Sequence, residues 1–369
     1  MADRFSLKDA LFNDGTVTYL TRLFGDAIDG AGARAEIMAR LPELELKARI
    51  AWIAEVLENY LPASFPAAAD VIEAALPPEL DPTRTDGDFG DFIFAPLGDY
   101  TAKAGLGHPE RALDLLHALT RRFSMEFALR PFIDAVPEVT LPRLSRWARD
   151  PNYHVRRLVS EATRPRLPWA ARLDLDLAVR LPLLTALHSD STRYVTRSVA
   201  NHLGDIAKED ANLVIDILNS WKRSGVADPE ELAWLSAHAL RAQIKAGHSG
   251  ALSFLGYAGD APVEAHLSLG AATVAIGDML DITVEITARA ECRVLVDYVL
   301  ALRKANGSAV PKTYKMRTLT LRAGQSTRIV KRHRFKGDAT SFQLYPGETG
   351  IWLLVNGEKR APATFTLTR

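Results

Sequence analysis

The sequence predicts a mainly α chain, with stacked helix pairs followed by an all-β sandwich. Three observations carry this reading. Apolar residues recur at helical spacing through the first 255 residues. A short pattern repeats in that region at an interval of 40. After Gly256–Pro262 the apolar period becomes two. A helical repeat of this length implies a HEAT-like α-solenoid, whose helix pairs must stack to bury their apolar faces. Short strands at even spacing imply an immunoglobulin-like sandwich.

Residues 33–41, 47–60, 109–123 and 177–187 carry the helical apolar spacing. Helix starts are expected at Asp150-Pro151, Asp190-Ser191 and Asp228-Pro229. There a capping carboxylate precedes the helix, and a proline at the first helical position loses no needed N–H. The repeat aligns Asp150, Val155, Arg157 and Val159 with Asp190, Val195, Arg197 and Val199. A weaker third copy runs from Asp228 through His238. The N-terminal 100 residues show no repeat and read as a divergent helical cap. Strands are expected at 282–286, 294–299, 318–321, 351–355 and 364–367. The separators Asn306-Gly307, Ala323-Gly324, Pro346-Gly347 and Asn356-Gly357 are turn formers. The expected domains are therefore 1–258 and 262–369.

Composition bounds the class. Of 369 residues, 47% are apolar and 24% charged, which excludes a mainly disordered or collagen-like chain. No apolar run is long enough to span a membrane, and Met1-Ala2-Asp3-Arg4 does not open a signal peptide. Cys292 is the single cysteine, so no internal disulfide forms and a reducing cytoplasm is expected. The net charge of zero hides a gradient. Residues 1–150 hold 16 basic and 24 acidic groups, and residues 261–369 hold 16 and 9. The C-terminal part can therefore face a polyanion although the whole chain is neutral.

The densest polar run is His154–Trp169. On a helix from Tyr153 to Thr163, Arg157 and Glu161 are i,i+4 neighbours and Arg164 extends their face. The next copy places Arg193, Arg197 and Asn201 on one face, with Asp205 a turn further on. Stacked repeats would align these into an arginine ridge with carboxylates embedded in it. Arg156, Arg157, Arg193, Arg197, Arg241 and Lys245 suit a nucleic-acid backbone, because guanidinium chelates phosphate oxygens. On the C-terminal strands, Lys315 shares a face with Arg317, and Arg332 with Arg334. Each residue has a plainer alternative. Arg157–Glu161 can be an ordinary ion pair, Trp169 a packing residue, and Glu126 a helix cap or a partner of Arg130. Asp205 can cap its helix or pair with Lys208, and His202 and His238 can be interior groups. No phosphate loop, dinucleotide fingerprint, HExxH or G-x-S-x-G is present.

The run His-Val-Arg-Arg-Leu-Val-Ser-Glu-Ala-Thr-Arg-Pro-Arg-Leu-Pro-Trp (154–169) resembles the AlkC branch of the AlkC/AlkD-like DNA glycosylases. So do residues 126–133, 194–208 and 238–241, and the resemblance covers most of the chain. Gly204 departs from it, standing where a larger residue is expected. The resemblance implies base-excision repair of duplex DNA carrying cationic alkylated bases. These are 3-methyladenine, with 1-methyladenine and 3-methylcytosine unranked beside it, removed without base flipping. It implies no metal or organic cofactor; apart from it, no membrane partner is expected and a monomer is the default. It assigns Glu161 first, and then Glu126, as carboxylates stabilising an oxocarbenium-like transition state. Trp169 would lie against the sugar, and Asp205 is the further acid. Arg156, Arg157, Arg164, Arg193, Arg197, Asn201, His202, Arg241, Lys245, Lys315 and Arg317 would hold DNA. The alternative is a non-catalytic helical-repeat protein that binds DNA or senses damage.

Overall fold

A computed structural model describes residues 6–84, 89–168, 170–337 and 343–369. Trp169 lies outside the described residues. Among the described residues, helices lie between Leu7 and Phe254, and eight strands between Val263 and Thr368. The chain divides into two compact units. One comprises Met1–Ile206 with Ser220–His238, the other Ala207–Asn219 with Ala239–Arg369.

In the first unit the predicted helices are present as Gly30–Arg40, Leu46–Tyr60, Pro109–Thr120 and Leu177–Leu187. Their buried sides are apolar: Ile53, Ala54, Val56 and Leu57 in one, Leu113, Leu115, Leu116 and Leu119 in another. Two helix starts differ from expectation. The Tyr153–Ala162 helix is capped by Asn152, whose side chain accepts from the His154 N–H at 2.9 Å. Asp150 instead accepts from the Asn152 N–H at 2.8 Å. Asp190 likewise accepts from the Thr192 N–H at 2.9 Å, before the Arg193–Ala207 helix. Both aspartates close Asx turns ahead of their helices rather than capping them. The third copy follows the expected rule, since Asp228 caps Pro229–Ala239 through the Glu231 N–H at 2.9 Å.

The copies are wired to one another. Arg156 holds Asp190 with two hydrogen bonds, of 2.5 and 3.0 Å. Arg193 holds Glu231 through Nε at 2.8 Å and stacks on Trp234 at 3.8 Å. Each arginine thus reaches the polar start of the following repeat.

In the second unit, one sheet has the order β1 (Val263–Leu269), β3 (Met279–Ala288), β6 (Ser326–Arg334). The other has the order β2 (Thr273–Ala275), β8 (Glu358–Thr368), β7 (Gly347–Val355), β4 (Cys292–Arg303), β5 (Ala309–Leu321). All pairings are antiparallel except β2 with β8. Alternation buries Leu280, Ile282, Val284 and Ile286 of β3 against Val294, Val296, Tyr298 and Leu300 of β4. The strands β1, β2 and β6 add to the five expected. The β7–β8 hairpin turns on Asn356 (φ 49°) and Gly357 (φ 84°), the left-handed pair that a two-residue hairpin requires. A side chain at 357 would also meet Leu252 and Gly247, so glycine is needed for space as well. Asn356 is buried and ties the turn to Leu295, Ala258 and Arg293.

Candidate active site

A cleft of about 520 Å³ opens in the first unit, with Glu126, Arg157, Glu161, Arg164, Arg197 and Asn201 in its lining. Local sequence explains the convergence. Val155, Leu158, Val159 and Ala162 anchor the Tyr153–Ala162 helix in the core, which fixes its phase. That phase buries Arg157 and Glu161, four residues apart, and sends Arg156 to the next repeat. Glu126 is the first residue of the Glu126–Ala135 helix, where the helix field favours a carboxylate.

The charges form an alternating chain. Arg157 lies 3.7 Å from Glu126 and 3.7 Å from Glu161. Arg164 bridges Glu161 and Asp205, at 2.9 Å each. Arg157 is further fixed by donating to Ser124 Oγ at 2.7 Å and by lying 4.6 Å over the Tyr194 ring. Burial works against the charge of both arginines, but their carboxylate neighbours outweigh it and hold them protonated. Burial pushes the Tyr194 hydroxyl upward, so it stays neutral. Glu161 is therefore clamped from two sides. Glu126 accepts no hydrogen bond from the described residues and keeps only the longer contact to Arg157.

Several expectations change. Glu126 does not pair with Arg130. Arg130 instead donates to the carbonyls of Ala162, Arg164 and Ala171 at 3.1, 2.9 and 2.6 Å. It thereby holds the end of the helix that carries Glu161. Asp205 is buried behind Arg164 and is not among the cleft-lining residues. Arg156 and Arg193 do not extend an open ridge, because their guanidinium groups are committed to Asp190 and Glu231. His202 is fully buried, with Nδ1 on the Ser160 carbonyl at 3.1 Å, and cannot reach a phosphate. Burial, with the charges of Arg180, Arg164 and Arg130 nearby, pushes its pKa down to about 3, so it is neutral. Arg197 and Asn201 do reach the cleft, and Asn201 also meets His238 at 3.0 Å.

The remaining basic candidates belong to the second unit. Arg241 and Lys245 are exposed on the Arg241–Lys245 helix, and Lys315 and Arg317 on β5. A bulge at Val296/Asp297 sets Lys315 opposite Asp297 and Arg317 opposite Val296. Arg332 and Arg334 are exposed on β6, while His333 between them turns inward to Tyr298. Sequence reasoning missed Ser124, Tyr194 and the apolar members of the cleft wall: Leu7, Leu11, Leu46, Phe89, Phe92 and Phe127. Their only signal was apolar character at positions that the helical pattern leaves outward. Among the described residues no group of His, Cys, Asp or Glu is arranged to hold a metal. None of their helices is long and apolar enough to cross a membrane.

A family model described as the C-terminal Ig-like domain of the uncharacterised protein YhaZ matches residues 264–369. The uncharacterized protein YhaZ of Bacillus subtilis is 29% identical over 328 residues, 88% of each chain. The solved structure of Pseudomonas fluorescens alkylpurine DNA glycosylase AlkC was obtained bound to DNA containing an abasic site analog. It matches with a TM-score of 0.87 and 30% identity, over 99% of this chain and 100% of that one. On identity, coverage and fold together, the chain belongs to the AlkC family.

Proposed function

We propose that this chain is a DNA glycosylase that releases cationic alkylated bases such as 3-methyladenine from duplex DNA. The observation that carries this reading is the pair Glu126 and Glu161, set on either side of Arg157 in one cleft. N3-alkylation makes the base cationic and a good leaving group. The C1′–N bond breaks with its electron pair going to the base, which departs neutral and needs no general acid. Positive charge then develops on the deoxyribose. A carboxylate already fixed beside the sugar stabilises that charge without reorganising. Glu161, clamped by Arg157 and Arg164, meets this requirement. Glu126, without a hydrogen bond from the described residues, is suited to orient the water that attacks C1′. The water's proton passes to this carboxylate or to solvent, leaving an abasic site. The lining of an open cleft suits a nucleotide that stays within the duplex. Arg197 and Asn201 would hold the backbone beside it, and the exposed basic residues of β5 and β6 would extend the footprint.

The test is base release from alkylated duplex DNA by the intact chain and by Glu161→Gln, with DNA binding measured alongside. Release by the intact chain, slowed in the variant at unchanged binding, supports the reading. DNA binding without release by the intact chain would replace it with a non-catalytic one.

A further inference from the structure

Beside the carboxylates the cleft continues into a second hollow of about 280 Å³. The two share Leu46, Phe92, Phe123, Ser124 and Phe127 in their linings. The hollow lies between the Leu46–Tyr60 and Glu126–Ala135 helices, over the Ala95–Ala104 helix. Its floor is low because that helix presents Ala95, Asp99 and Ala102 at spacings of four and three. Its walls are Ile50, Phe92, Met125, Phe127 and Pro131. All three of its polar members, Lys47, Asp99 and Ser124, are already engaged. Ser124 accepts from Arg157, and Asp99 pairs with Lys103 at 2.7 Å. Phe127, at the junction, is 42% exposed, an unusual state for so large an apolar group beside a polar site.

We infer that this apolar hollow is a subsite for the alkyl substituent of the damaged base, and that the chain excises bases bearing N-alkyl groups larger than methyl. The inference rests on the glycosylase reading above and deepens it. On a purine nucleotide, N3 and C1′ lie on the same minor-groove side, close to one another. A protein that sets carboxylates at C1′ must therefore place something against the N3 substituent. Here the space next to the carboxylates is hydrocarbon-lined and has little left to offer a polar ligand. A methyl group occupies little of it, whereas an n-butyl or benzyl group buries apolar surface there.

The test uses the full chain and duplex DNA carrying methyl, n-butyl or benzyl groups at adenine N3. Released bases are quantified and corrected for spontaneous depurination. Ala102→Phe fills the hollow from a half-exposed position that the catalytic cleft does not share, and Ala95→Leu fills it from two turns earlier. The expected result is release of all three bases by the intact chain. Both variants should retain methyl release but lose benzyl release by about tenfold or more, the scale set by a few methylenes in a fitted pocket. Two results overturn the subsite: refusal of the larger groups by an intact chain that releases 3-methyladenine, or an equal loss for methyl and benzyl in both variants. Failure to release any alkylated base would strike the glycosylase reading itself.

Discussion

The two units of this chain solve the problem of an interior in opposite ways. The sandwich buries alternating Val, Ile, Leu and Phe, and Asp297 is its one buried acid among the described residues. The helical unit buries Arg49, Arg130, Arg157, Glu161, His202 and Asp205 among its apolar groups. Buried ions are poor contributors to stability, since desolvation cancels much of their attraction. A fold that keeps a lattice of them beside a cleft is shaped by what the cleft must do. The sandwich shows that the same chain can build an interior without them.

Breaking the lattice should have the largest effect. Arg164→Leu leaves Glu161 and Asp205 facing each other without their shared cation. It should cost the helical unit about 3–5 kcal/mol in denaturant unfolding and abolish base release. Leu353→Ala, in the sandwich core, should cost about 2–5 kcal/mol while leaving the carboxylates intact. If base release per folded molecule falls equally in the two variants, the contrast between the units is wrong. Glu161→Gln keeps size and shape, and should slow base release by about 10²–10³ with DNA affinity retained. Glu126→Gln should slow it too, by a smaller factor if its task is only to orient water. Lys315→Ala with Arg317→Ala should leave the single-turnover rate at saturating DNA unchanged. It should make binding less salt-dependent, lowering the slope by about one for each phosphate that the two side chains neutralise. An unchanged slope removes β5 from the DNA footprint.

The smallest effect concerns protons. Burial lowers His202 from its ordinary 6.5 to about 3, and His333 in the sandwich to about 4. In both cases the unfolded chain binds protons first as pH falls. Their stabilising contribution is therefore complete above about 6.5 and is lost as pH drops toward the folded values. His202→Gln should flatten the fall in urea midpoint of the helical unit between about pH 7 and pH 5. A variant whose midpoint falls as steeply as the parent's would show that other groups govern acid unfolding.

How much of this was legible depended on how directly a position reports its environment. The alternation in β3 reads straight from apolar residues with period two, whereas β4 and β7 were expected as short apolar runs, and in β4 every residue from 294 to 300 is buried. β6 was visible only as a basic stretch, because Arg328, Lys331, Arg332 and Arg334 outnumber the inward Ile329. Glu126 and Glu161 could be singled out, but their contact through Arg157 joins residues 31 and 4 positions away in sequence. Arg156 and Arg157 are adjacent and chemically identical. Only the helix phase decides that one wires repeats and the other enters the cleft. Asp150 and Asp190 look like caps because an Asx turn and an N-cap use the same side chain and differ by two residues in register.

The arginine that leaves one repeat and grips the start of the next gives the stack a direction. Arg156 speaks to Asp190, and Arg193 to Glu231, each across roughly one repeat length. A duplicated repeat inserted in register would arrive with both its socket and its plug, and would join its neighbours without new chemistry. An insertion out of register would strand an unpaired cation and an unpaired acid together. The wiring therefore acts as a proofreading rule on how such a chain can lengthen over evolution, admitting whole units and rejecting fractions.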